Sequence, residues 1–149
     1  MQMPDMSPPR VFVDADVLFA GATGPTEFGA SLVVLRMAEI TLVEAITCQQ
    51  VIHEAERNLR DKMPAALPAY QMIVSRCLQV ITTPTAYDCL PFNGLADPKD
   101  LPILVAAVHV QCPMLVTFNT RHFQPGHSDV MVLRPGEFIR RARYLLSQF

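Results

Sequence analysis

The chain has 149 residues, half of them hydrophobic, and 12 Lys and Arg against 14 Asp and Glu give a formal net charge of -2. That length is one ordinary domain with enough apolar material for a full core, and the charge excludes a generic polyanion binder, which carries a strong basic excess, so any nucleic-acid contact must be local. The four cysteines, Cys48, Cys77, Cys89 and Cys112, contain no C-x-x-C pair; this excludes a zinc ribbon and a small disulfide scaffold and reads as free buried thiols of a reducing compartment.

Residues 1–9 carry three Met and three Pro and read as a flexible tail ahead of a single domain over 10–149. They lack the basic start and apolar core of a signal peptide. The longest apolar run, 101–110, contains Pro102 and His109 and is too short to span a bilayer. The expectation is a cytoplasmic protein with no membrane contact.

Val11, Phe12 and Val13 form a β-branched and aromatic run that reads as a buried strand. It leads straight into Asp14 and Asp16. A core strand has no use for an unpartnered carboxylate, so Asp14 is expected at the carboxyl end of a central strand, where an open α/β sheet keeps its crevice. The alternative is that Asp14 or Asp16 only caps a turn or the next helix. Residues 21–25 read as a loop, with Gly24-Pro25 opening a helix through about Glu39 that places Phe28, Leu32, Leu35 and Ala38 or Met37 on one face. Residues 40–47 read as a second strand. A second helix follows, with Val51, Ile52, Ala55 and Leu59 apolar, then a third ending near Leu78. Residues 79–82 suit a short strand, and 83–100 a long Pro-rich loop of the kind that is usually functional. Residues 101–111 suit a helix buried on several sides, 114–118 and 130–133 two further strands. Pro135 opens a last helix, with Glu137 in its first turn. Strands alternating with helices predict a mostly parallel sheet covered on both faces, in three layers.

Four places put oxygen ligands at a strand end or helix start: Asp14 with Asp16; Glu54 or Glu56; Asp97 and Asp100; and Thr117 with Asn119. Carboxylates gathered on one sheet edge repel, by roughly 3 kcal/mol per pair at ~5 Å and an effective dielectric of about 20. A cation relieves this. Hard oxygen donors without a Cys–His set favour Mg2+ or Mn2+ over zinc. Such an ion activates water and stabilises an in-line phosphoryl displacement, the chemistry of phosphodiester hydrolysis. Each piece also has a plain structural reading. Asp97 or Asp100 could cap the following helix. Glu54 and Glu56 lie about 200° apart on a helix, so at most one points into a shared site, and periodicity does not choose between them. Asn119 could shape a turn. His53, His109 and His122 show no ligand spacing, and His109 reads as a core or boundary histidine.

Four segments in order, Val11-Phe-Val-Asp-Ala-Asp-Val-Leu18, Val51-Ile-His-Glu-Ala-Glu-Arg-Asn-Leu59, Asp97-Pro-Lys-Asp-Leu-Pro-Ile-Leu-Val-Ala-Ala107 and Leu115-Val-Thr-Phe-Asn-Thr-Arg-His-Phe123, resemble the PIN domain, a fold of metal-dependent nucleases, and in particular the VapC-like toxins of bacterial type II toxin–antitoxin pairs. The likeness runs from about residue 10 to 140. It implies a three-layer α/β/α PIN-like fold and an endoribonuclease that cuts RNA. The family's first three acidic positions fall on Asp14, Glu54 and Asp100, which would hold Mg2+ or Mn2+. The fourth falls on Asn119, with Asp97 the alternative ligand, and Thr117 and Asn119 would orient water or substrate. Asp16 stands where the family commonly has asparagine, and His122 where many members have aspartate. Arg121, Arg10 and the Arg140, Arg141 and Arg143 group are the candidates for RNA phosphate contact, the last also reading as a solvated helix face. The resemblance further implies a homodimer and a cognate antitoxin that blocks the acidic cleft.

Two other functions compete. The first motif also looks like that of haloacid-dehalogenase-type phosphatases, although the glycine usual after the second Asp is absent. A PIN-like scaffold acting only through protein partners is the non-enzymatic alternative.

Overall fold

The computed structural model of the protein describes residues 7–24 and 29–148. Residues 1–6 of the expected tail, and Pro25 and Phe28 at the start of the first expected helix, lie outside the described residues. Five strands form one sheet: β1 (Arg10–Val13), β2 (Glu44–Cys48), β3 (Leu78–Ile81), β4 (Met114–Val116) and β5 (Met131–Leu133). Their order is β3-β2-β1-β4-β5, and every pairing is parallel. Helices α1 (Ala15–Thr23), α2 (Ala30–Glu39), α3 (Gln49–Lys62), α4 (Leu67–Cys77), α5 (Ala86–Cys89), α6 (Leu101–His109) and α7 (Pro135–Leu146) cover it. The result is a three-layer α/β/α architecture, and the sheet is wholly parallel.

The central strand is β1, apolar throughout after Arg10. Val11, Phe12 and Val13 are completely buried, flanked by β2 on one side and β4 on the other. The chain runs outward from β1 to β2 and β3, then crosses back to β4 and β5. Right-handed crossovers in opposite directions place helices on opposite faces, and the carboxyl end of β1 becomes the point where the order reverses, the natural crevice of an open α/β sheet. α6, apolar nearly all round, is buried from Ile103 to Ala107. All four cysteines are free and buried. Among the described residues no helix is long and apolar enough to cross a membrane.

Several boundaries depart from the sequence reading. Residues 21–23 are the last turn of α1 and not a loop. Gly21 is there for packing: a Cβ on it would lie 2.5 Å from Leu35 Cδ1, so it lets α1 and α2 approach. The second strand begins at Glu44 rather than at residue 40. Leu42 N–H donates to the Met37 carbonyl at 2.9 Å and Thr41 N–H to that of Ala38 at 3.1 Å, with Thr41 left-handed at φ 66. This paired closure ends α2 and leaves Ile40 and Leu42 exposed. α6 stops at His109 for the same reason. Cys112 N–H reaches the Ala107 carbonyl at 2.9 Å and Gln111 N–H that of Val108 at 3.1 Å, with Gln111 at φ 57. His109 is exposed and neither core nor boundary; its ring meets the edge of Phe92 at 5.9 Å. The 83–100 stretch contains α5, opened by a capping box in which Thr85 and Asp88 exchange hydrogen bonds of 2.9 and 3.1 Å.

Candidate active site

Asp14 follows the last residue of β1 and is only 6% exposed. Both readings of it hold together. Its Oδ1 accepts the Ala15 N–H at 2.8 Å and so caps α1, while the same carboxylate lines a cleft at the carboxyl edge of the sheet. Thr117, one residue past β4, is completely buried and donates its hydroxyl to Asp14 Oδ2 at 2.8 Å. Asp16, in the first turn of α1, accepts from the Phe118 N–H at 3.1 Å and from Asn119 Nδ2 at 3.0 Å, both on Oδ2. Its Oδ1 is buried with no hydrogen-bond partner. The loop after β4 thus orients both carboxylates of the first motif.

Glu54 enters the cleft from α3 and Asp100 from the start of α6. Glu56 points elsewhere and pairs with Arg60 at 3.6 Å, which decides the choice that periodicity left open. Asp100 makes no side-chain capping bond; its Oδ2 meets His122 Nδ1 at 3.1 Å, with the Asp100 side chain 13% exposed. Asp97 is exposed, and its backbone N–H donates to the His122 carbonyl at 2.8 Å. One ligand atom from each of Asp97, Asp100 and His122 falls within 4.8 Å of the others.

Asp14, Asp16, Glu54, Asp100, Asn119 and His122 therefore share one cleft. Its remaining wall is Phe19, Asn58, Lys62 and Lys99. The electrostatics are those of an under-neutralised acidic site. Burial first, then the charge of Asp16, pushes the Asp14 carboxyl from 3.8 up to about 7, against the donations from Thr117 and Ala15. Burial also raises Asp16, opposed by the Phe118 N–H and the Thr117 hydroxyl. It raises Asp100 too, opposed by the charges of His122 and Lys99. Three chain segments bring carboxylates to one cleft with no cysteine on its wall, the donor chemistry of a hard divalent cation, and among the described residues the set near enough to share an ion is Asp97, Asp100 and His122. His122 adds a nitrogen donor beside Asp97 and Asp100.

Some expected contributors are elsewhere. Arg10 opens β1 at the opposite edge of the sheet, where it pairs with Glu44 at 3.3 Å and donates to the Val110 carbonyl at 2.8 Å. Its register partner across the strands is Glu44 itself, so it is committed to the fold far from the cleft. Arg121 is exposed in the short 3-10 turn Thr120–Phe123 and is not part of the cleft wall. Arg140, Arg141 and Arg143 lie exposed on α7, as a solvated face. Thr117, expected to orient water or substrate, is fully enclosed and acts on Asp14 instead. Sequence reasoning missed Asn58, Lys62, Lys99 and His122. A signal for two of them was present: Glu54, Asn58 and Lys62 recur every four residues, one polar stripe beside the buried stripe of Val51, Ala55 and Leu59. His122 had a signal in the resemblance, as the position where many members have aspartate; nothing local in the sequence points to Lys99.

The fold and cleft define a class: a wholly parallel α/β/α protein with an acidic, cation-compatible centre at the switch point of its sheet. Residues 10–121 match the family model of the PIN domain, and the chain belongs to that family and not to the dehalogenase-type phosphatases. Its fold is similar to a solved structure described as VapBC2 from Rickettsia felis bound to a DNA fragment from their promoter, with a TM-score of 0.63 and 14% identity over 83% of this chain and 96% of that chain. No curated protein sequence matches the chain.

Proposed function

We propose that the protein is a metal-dependent endoribonuclease and the toxin of a toxin–antitoxin pair. The observation that carries this is the meeting of Asp14, Glu54 and Asp100, from three separate segments, in one cleft of a PIN domain. The fold's likeness to VapBC2 supports the toxin–antitoxin part, and with it a cognate antitoxin, a homodimer and a cytoplasmic setting. Asp14, Glu54 and Asp100 would hold Mg2+ or Mn2+, with Asp97 and Asp16 within reach as further donors. The bound ion would supply positive charge to a phosphodiester and acidify a water beside it.

The chain's own residues prepare that site. Thr117 fixes the Asp14 carboxylate through its 2.8 Å bond. Asn119 and the Phe118 N–H hold one oxygen of Asp16, leaving the other available. Asn119 is exposed and within reach of a bound phosphodiester, in keeping with a part in orienting substrate. His122 steadies Asp100.

The test is RNA cleavage in magnesium by the wild-type chain and by Asp14→Asn, with folding checked by circular dichroism. Cleavage is expected to disappear in the folded variant. Undiminished cleavage would overturn the assignment, and a wild-type chain that binds no metal and cuts no RNA would favour the non-enzymatic scaffold.

A further inference from the structure

The chain's two lysines, Lys62 and Lys99, both line the acidic cleft. A second hollow adjoins it and shares Glu54 and Lys99 with it, so the two are continuous. This second hollow holds Arg57, His53, Gln50 and Thr83, and Glu54 is the one carboxylate on its wall. Among the described residues no carboxylate forms an ion pair with Lys62, Lys99 or Arg57. Arg10 and Arg60, by contrast, are both paired.

The arrangement is built rather than incidental. α3 lies beneath both hollows: Arg57 and Lys62 follow Glu54 along the axis by about 4.5 and about 12 Å, and around the axis they fall on opposite sides of Glu54, by about 60° and about 80°. Lys62 is held over the Phe19 ring at 5.9 Å, which aims its stem across the cleft. Gln50 Nε2 donates to the Lys99 carbonyl at 2.9 Å and the Gln50 N–H to Thr83 Oγ1 at 2.8 Å. These bonds tie the loop that carries Lys99 to the first turn of α3.

We propose that Lys62 on one flank of the acidic centre, and Lys99 with Arg57 on the other, form a track for the backbone phosphates of a single-stranded RNA, which crosses α3 at Glu54 from one hollow to the adjoining one. The proposal rests on reading the cleft as a nuclease centre and names where its substrate lies. It explains how a chain with net charge -2 binds a polyanion: three cations outside any ion pair flank the acidic centre, and phosphate contacts position the strand without reading its sequence. The competing use of these cations, simple neutralisation of the carboxylates, requires no RNA contact.

The experiment is fluorescence anisotropy with a labelled oligouridylate of about twelve nucleotides, in EDTA and again in magnesium before cleavage accumulates, between about 50 and 200 mM salt. Lys62→Gln, Lys99→Gln and Arg57→Gln change exposed side chains. Each is expected to weaken binding about fivefold near 0.1 M salt and to lower the salt slope by about 0.7, the single-strand increment for one phosphate contact. Arg141→Gln, on a groove with Pro9 and Met114 at the opposite edge, is expected to bind as the wild type does. Cleft variants that bind like the wild type, an equal loss in Arg141→Gln, or a wild-type chain that fails to bind in both buffers overturns the track. Binding that follows the track without any cleavage would instead sink the nuclease reading and leave the track standing.

Discussion

Asp14 carries two duties that pull in opposite directions. As a helix cap and carboxylate anchor it must be buried and fixed; as part of a metal-free acidic cleft it pays for that burial, because its charged form is poorly solvated and faces Asp16. Its carboxyl therefore rises from 3.8 to about 7. Between those values the folded chain holds a proton that the unfolded chain has released, so metal-free stability falls as pH rises through this window. The penalty is complete above about pH 7 and amounts to about 4 kcal/mol at most. Asp14→Asn removes it. In EDTA the variant is expected to gain on the wild type progressively from pH 4 to pH 8, read by urea unfolding at each pH; a gap that stays constant would refute the burial argument. Thr117 works against the penalty by donating to the charged form, which is why a buried hydroxyl at this position matters.

At the scale of the element, α3 shows how one helix serves core and site at once. Val51, Ala55 and Leu59 face the core, and Glu54, Asn58 and Lys62, a small rotation away, face the cleft. α1 is placed just as tightly. Asp14 starts it, and Gly21 allows it to lie against α2 through Leu35, itself 1% exposed. Gly21→Leu is expected to destabilise the protein by about 1–3 kcal/mol through overpacking, seen as a lowered thermal midpoint, with partial recovery when Leu35→Ala is added. An unchanged midpoint would mean that the two helices do not need this approach. Because α1 carries Asp16, the same variant is also expected to weaken manganese binding.

For the molecule as a whole, the topology gathers carboxylates from β1, α3 and α6 at one edge and leaves Arg10 and Arg141 at the other. The mutual repulsion at the cleft is what the proposed cation would relieve. Mn2+ at about a hundred times its dissociation constant is expected to stabilise the wild-type chain by about 2.7 kcal/mol, visible as a rise in thermal midpoint, and to flatten the fall in stability with pH. In Asp14→Asn the rise is expected to be largely lost, and calorimetric titration of manganese into both chains checks it directly. A similar rise in both would move the ion away from Asp14 and toward the trio of Asp97, Asp100 and His122.

The strand–helix alternation, the buried run before Asp14 and the all-round apolar α6 were legible from residue order alone, because each is a local pattern of hydrophobicity that burial enforces wherever the chain folds. Asp14, Asp100, Asn119 and either Glu54 or Glu56 could be named as candidates from their places at strand ends and helix starts, and the resemblance to the PIN domain put the acidic positions on Asp14, Glu54 and Asp100. Helix ends were less legible: Thr41 and Gln111 close helices in a left-handed conformation that ordinary side chains seldom adopt, and Gly21 answers to a neighbour fourteen residues away in sequence. What only the tertiary structure decided is which residues share a cleft. It put Glu54 in the cleft and left Glu56 beside Arg60, enclosed Thr117 against Asp14, brought His122 to Asp100, and set Lys62 and Lys99, not Arg10, on the cleft wall. Charges meet by crossover geometry, across distances in sequence that no local pattern records.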